Sequence, residues 1–63
     1  MNKIQERLNG MSTEMIKEIA TQLNNRLDDE ANIVFENAMN ALLNRMSEKD
    51  FVKFCEKLEK EAA

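Results

Sequence analysis

Residues 28–47 read DDEANIVFENAMNALLNRMS. Asp28 is a good helix cap, Asp29 and Glu30 put negative charge in a first turn, and Arg45 puts positive charge in a last one. Each sign suits the end of the helix dipole where it falls. Plotted at 100° per residue, Ala31, Val34, Phe35, Ala38, Met39, Ala41, Leu42 and Met46 cover close to half the circumference. A helix that is apolar this far round is central to its fold. The stretch therefore predicts a helix over 29–45 that touches both other main helices and something more besides. Ile33 and Leu43 fall outside the arc, among Asp29, Glu36, Asn37, Asn40 and Asn44.

The flanks read the same way. Ser47 followed by Asp50 at the third position approximates a capping box, and Met46 with Phe51 has the spacing of a hydrophobic staple. A helix over 48–60 follows, with Phe51, Phe54, Cys55, Leu58 and Ala62 on one face and Lys49, Lys53, Lys57 and Lys60 with Glu56 on the other. Upstream, Ser12 is a second cap, with Met11 and Ile16 as its staple. It opens a helix over 13–25 whose stripe is Met15, Ile16, Ile19, Ala20, Leu23 and Leu27, closed by Asn24, Asn25 and Arg26. Gly10 reads as the left-handed residue that ends a short helix over 2–9. The alternative is one continuous helix through Gly10, since Ile4, Leu8, Met11 and Met15 line up and a mid-helix glycine costs only about 1 kcal/mol. The break is the preferred reading.

Composition narrows the class. The chain has 63 residues, one glycine, one cysteine, and no proline, histidine, tryptophan or tyrosine. That length predicts one domain, 1–63, whose stability as a lone monomer is marginal. Domains of this size are usually reinforced by disulfides, a metal, very good packing or a second chain. One cysteine closes no intrachain disulfide, and without histidine an ordinary zinc site is not expected. Packing or self-association remains. No cofactor is expected. Hydrophobic residues make up 43% and charged residues 33%, too apolar for a disordered chain. No run reaches the roughly 20 apolar residues of a membrane span. Met1 to Gly10 lack the apolar region of a signal peptide, so a soluble protein of the cytoplasm is expected. The net charge of −3 gives no help towards phosphate, and nucleic-acid binding is not favoured.

Each residue with chemical potential has a plainer reading beside it. Cys55 is the one nucleophile of note, but it lies on an apolar stripe with no histidine to activate it, so a small core residue is expected. Asp28, Asp29 and Glu30 lack the alternating spacing and glycine of a calcium loop and read as a helix start. The lysines of 48–60 form a basic face on the third main helix, the position of a recognition helix in helix-turn-helix proteins. Glu48, Asp50, Glu56, Glu59 and Glu61 offset much of that charge, and arginine is absent there. With one glycine no phosphate-binding loop is possible, and an enzyme is not expected. Asn37, Asn40 and Asn44 share one helix face and read as solvated. Met11, Met15, Met39 and Met46 suit either an irregular core or an adaptable interface.

The stretch from Met46 to Glu59, MSEKDFVKFCEKLE, resembles the C-terminal part of short, uncharacterised all-helical proteins encoded by phages and prophages. The resemblance implies a compact helical chain. It implies no activity, and no functional residue is carried over from it.

The expected fold is all-α: a three-helix unit plus a short N-terminal helix, with 29–45 central and the whole completed by homodimerisation. Ile4, Leu8, Ile33, Phe35, Met39, Leu43 and Met46 are the expected partner or dimer interface. The expected function is a non-enzymatic protein–protein interaction module, an accessory factor binding a host or phage protein. The alternative is a small helix-turn-helix-like DNA-binding regulator using Lys49, Lys53, Lys57 and Lys60.

Overall fold

The computed structural model describes residues 3–62, and the side-chain surroundings of residues 3–61. Among them lie four α-helices and no strand: α1 (Lys3–Asn9), α2 (Thr13–Leu23), α3 (Asp29–Arg45) and α4 (Glu48–Ala62). The protein is a small all-α bundle. Residue 2 of the expected first helix, and the expected burial of Ala62, lie outside the described residues.

Three helices start on the side chains that the sequence nominates. The Ser12 hydroxyl accepts from the Met15 N–H at 3.2 Å. The Asp28 carboxylate accepts from the Ala31 N–H at 3.3 Å, and the Ser47 hydroxyl from the Asp50 N–H at 3.2 Å. Each bond satisfies one of the donors that a helix start leaves without an intrahelical acceptor. At the far end of α3 the Met46 N–H returns to the Leu42 carbonyl at 2.8 Å while Met46 itself is extended. Residue 46 is thus the C-cap of α3 and residue 47 the N-cap of α4, so the corner between them has no loop of its own.

The chain does break at Gly10, but not as a left-handed cap, because no glycine has a positive φ. The exit is instead a tightened turn, with the Gly10 N–H on the Arg7 carbonyl at 3.2 Å and the Met11 N–H on the Leu8 carbonyl at 2.9 Å. A left-handed residue would turn the last carbonyls of α1 back onto the chain's own N–H groups. Here Arg45, from the far end of α3, takes them: its guanidinium donates to the carbonyls of Leu8 (3.2 Å), Asn9 (2.8 Å) and Met11. The sequence assigned Arg45 to the dipole of its own helix. It caps another.

α2 is shorter than the expected 13–25. It ends at Leu23, where successive tight turns (Asn24 N–H to Thr21 carbonyl, Arg26 N–H to Leu23 carbonyl) wind the chain off the helix axis. Leu27 therefore leaves the apolar stripe and is 93% exposed, and Met15 at the stripe's edge is also exposed. Asn24 keeps a structural role, its amide donating to the Leu58 carbonyl of α4 at 2.7 Å.

These bonds fix the topology. Arg45 brings the end of α3 to the start of α2, so the two run antiparallel. Lys17 faces Phe54 and the Asn24 amide reaches the Leu58 carbonyl, so α4 advances in the same sense as α2, with an open groove between them. α3 contacts all three other helices, most extensively α2. The expected central place of 29–45 is the observed one.

The core is built from Leu8, Ile16, Ala20, Ala38, Ala41, Leu42, Phe54 and Leu58, with Ala31 also buried. The alanines let helix backbones approach closely, but each removes little apolar area from water. Ile16 and Leu42 are the largest side chains with no exposure. The Cα envelope measures 33 × 29 × 15 Å, a plate about as thick as one helix laid on another. No helix of the described residues is long and apolar enough to cross a membrane.

Candidate interaction surface

α3 meets its three neighbours over roughly 200° of its circumference, read at 100° per residue. The remaining face carries Asp29, Asn32, Ile33, Glu36, Asn40, Leu43 and Asn44, all exposed. Ile33 and Leu43 stand out on it, 49% and 55% exposed respectively. Of the other large apolar residues of α3, Leu42 is fully buried and Val34, Phe35 and Met39 are half-buried. The sequence separated Ile33 and Leu43 from the rest of the arc, and the structure places both in water.

The other expected interface residues face inward. Leu8 is enclosed at 3% exposure, and Ile4, Phe35, Met39 and Met46 pack against the core. α1 is laid on α3 and brings Ile4 and Leu8 onto the core. Ile4, Leu8 and Met11 line one side of a shallow apolar cleft there, with Ile19 and Val34 opposite. Asn37 also differs from expectation. It is buried, not solvated, and its amide donates to the Ile33 carbonyl at 2.8 Å. No described buried side-chain nitrogen or oxygen lacks a partner.

Lys49, Lys53, Lys57 and Lys60 are all exposed, and so are Glu48, Asp50, Glu56, Glu59 and Glu61 around them. The basic face is therefore dispersed among acids along its length. Comparison with known family models, curated proteins and solved structures finds no match. The site has to be read from its own chemistry.

That chemistry is sparse elsewhere. An open groove of about 620 Å³ runs between α2 and α4, with Phe54 at its base and Glu14, Glu18, Lys17 and Lys57 on its walls. The Lys17 ammonium sits 5.9 Å from the Phe54 ring centre, close enough for a cation–π attraction. Cys55 is half-buried, and burial together with the nearby Glu59 charge pushes its thiol above the ordinary value of 9.0. That is the opposite of activation, because the thiolate is the nucleophile. Loss of hydration pushes the Asp28 carboxyl up, but the N–H groups of Asp28 and Ala31 and the Arg26 guanidinium outweigh it. They hold the group below 3.8, as a cap and ion pair require. Among the described residues no group of three or more Cys, Asp or Glu side chains converges to hold a metal.

Proposed function

We propose that the protein is a non-enzymatic protein–protein interaction module that docks through the outer face of α3. The observation that carries this reading is the pair Ile33 and Leu43: two half-exposed aliphatic side chains on an otherwise polar helix face. They lie ten residues apart, so roughly 15 Å of helix separates them. Single exposed apolar residues are ordinary. Two on one ridge, framed by Asn32, Glu36, Asn40 and Asn44, have the anatomy of an apolar contact within a polar rim. The resemblance to phage and prophage proteins makes a host or phage protein the natural partner, met in the cytoplasm. The acids interleaved with the lysines of α4 support protein over DNA as the ligand.

The test compares partners captured from the native cell by the wild-type protein and by Leu43→Asp. Loss of specific partners with unchanged far-UV helicity is expected. Equal capture by both proteins overturns the assignment of the surface.

A further inference from the structure

The ridge on α3 has an internal symmetry that says what fits it. Ile33, Glu36, Asn40 and Leu43 follow the i, i+3, i+7, i+10 spacing of a heptad seam, all four exposed. Read from either end, the order is apolar, polar, polar, apolar. About residue 38, Ile33 mirrors Leu43, Glu36 mirrors Asn40, and the flanking Asn32 mirrors Asn44. A helix surface with this pattern presents nearly the same face after a half-turn about an axis across it. A two-fold axis across the helix at residue 38 makes each residue meet its mirror residue on the other copy, so this pattern sets apolar against apolar and polar against polar.

Resting on the reading of α3 as a docking face, we infer that its occupant is a second copy of this chain, with the two α3 helices packed antiparallel across a two-fold axis. In that arrangement Ile33 of each copy packs beside Leu43 of the other, closing two apolar layers. Between them Glu36 lies beside Asn40, a carboxylate acceptor against an amide donor. A parallel pair would bring the two Glu36 carboxylates into one layer and align the helix dipoles head to head. The antiparallel pair sets the two Glu36 residues about 6 Å apart along the axis and opposes the dipoles, which lowers both costs. It matches a seam that is polar at its centre and apolar at both ends.

The contact is small. α3 is 17 residues long, so the seam is a strip about 25 Å long and about 10 Å wide, which buries roughly 500 Å² over the two copies, short of the roughly 1,200 Å² of a standard stable interface. The dimer is accordingly a weak, reversible one.

Sedimentation equilibrium over about 5 µM to 1 mM reads the association, and far-UV circular dichroism checks the fold. The expected result is a rise in apparent mass from 7.3 kDa towards twice that value, abolished by Leu43→Asp and by Ile33→Asp with helicity retained. Orientation is read from spin labels at Glu30→Cys in a Cys55→Ser background. Glu30 is eight residues from the symmetry point, so antiparallel helices separate the labels by about 24 Å along the axis, while parallel ones leave them about 10 Å apart. A monomer throughout the range, a dimer untouched by both aspartates, or the short label distance overturns the inference. If the chain stays monomeric but Leu43→Asp still loses its cellular partners, the docking face stands and only the second copy is wrong.

Discussion

Arg45→Met is the substitution that most directly tests how α1 is held. The guanidinium donates to the carbonyls of Leu8, Asn9 and Met11 from a helix more than thirty residues away in sequence. A hydrogen bond to a charged donor contributes about 1.5–3 kcal/mol when water cannot replace it. Here only the Leu8 bond is partly buried, and water can take over the other two. The positive charge at the end of α1 adds about 0.3–1 kcal/mol. The net expectation is a loss of roughly 2 kcal/mol. A single core of this size rarely supplies more than about 3–5 kcal/mol, so the loss is a large fraction of the whole. It should also be local first. α1 has seven residues, far below the roughly 12–15 at which an isolated helix becomes marginal in water, and it needs its anchors to exist. Urea unfolding should therefore show a lower midpoint, and amide exchange of residues 6–9 should accelerate before that of α3. Arg45→Lys should fall between the two, because an ammonium keeps the charge but not the planar fork. If Arg45→Met unfolds within about 0.5 kcal/mol of wild type and leaves exchange in α1 unchanged, the clasp is ornamental and the reasoning fails.

The remaining predictions concern the breaks, the core and acid. Gly10→Ala should be neutral or stabilising by about 0.4–1 kcal/mol in thermal unfolding, since φ is not positive and the added Cβ would sit 3.5 Å from the Arg7 carbonyl oxygen. A clear loss would mean that the turn needs glycine after all. Leu42→Ala removes a side chain with no exposure and should cost about 2–5 kcal/mol, enough to leave a monomer largely unfolded by circular dichroism at 25 °C. Asp28 has a lowered carboxyl pKa in the fold, so its contribution is present above its ordinary value of 3.8 and is lost as pH falls through the lower folded value. Melting temperatures measured from pH 6 to pH 2 should drop more for wild type than for Asp28→Asn, which keeps a capping oxygen but does not titrate. Parallel curves would remove Asp28 from the acid response.

Helix starts were the most legible part of the fold, and the reason is distance. Ser12, Asp28 and Ser47 each act on an N–H three residues away, so the whole interaction lies within four letters of sequence. The central position of α3 was legible because its apolar arc is wide. The exposed pair Ile33 and Leu43 was legible for the same periodic reason. What sequence patterns missed depends on contacts across the fold. Arg45 has an obvious local role beside its own helix end, and nothing near it points to Leu8. Phe35, Met39 and Met46 are as apolar as the exposed Ile33 and Leu43, and only the packing of the four helices decides which of them the core takes in. Asn37 carries no mark separating it from Asn40 three residues on, and only the packing of neighbours divides a buried amide from a solvated one. Leu27 kept the right period for α2, but two tight turns had already ended the helix before it.

The corner at Met46 and Ser47 limits how a chain of this kind can change length. Each residue there already serves as the cap of a helix, so an inserted residue would separate the Leu42 carbonyl from its donor or Ser47 from the turn it opens. The stretch from Asn25 to Leu27, by contrast, is exposed at every residue and lies outside both helices, so it has room to lengthen. Insertions, tags and fused domains should be accepted between α2 and α3 and rejected between α3 and α4. Variants of this architecture are thus free to grow at one end of the plate and held to a fixed length at the other.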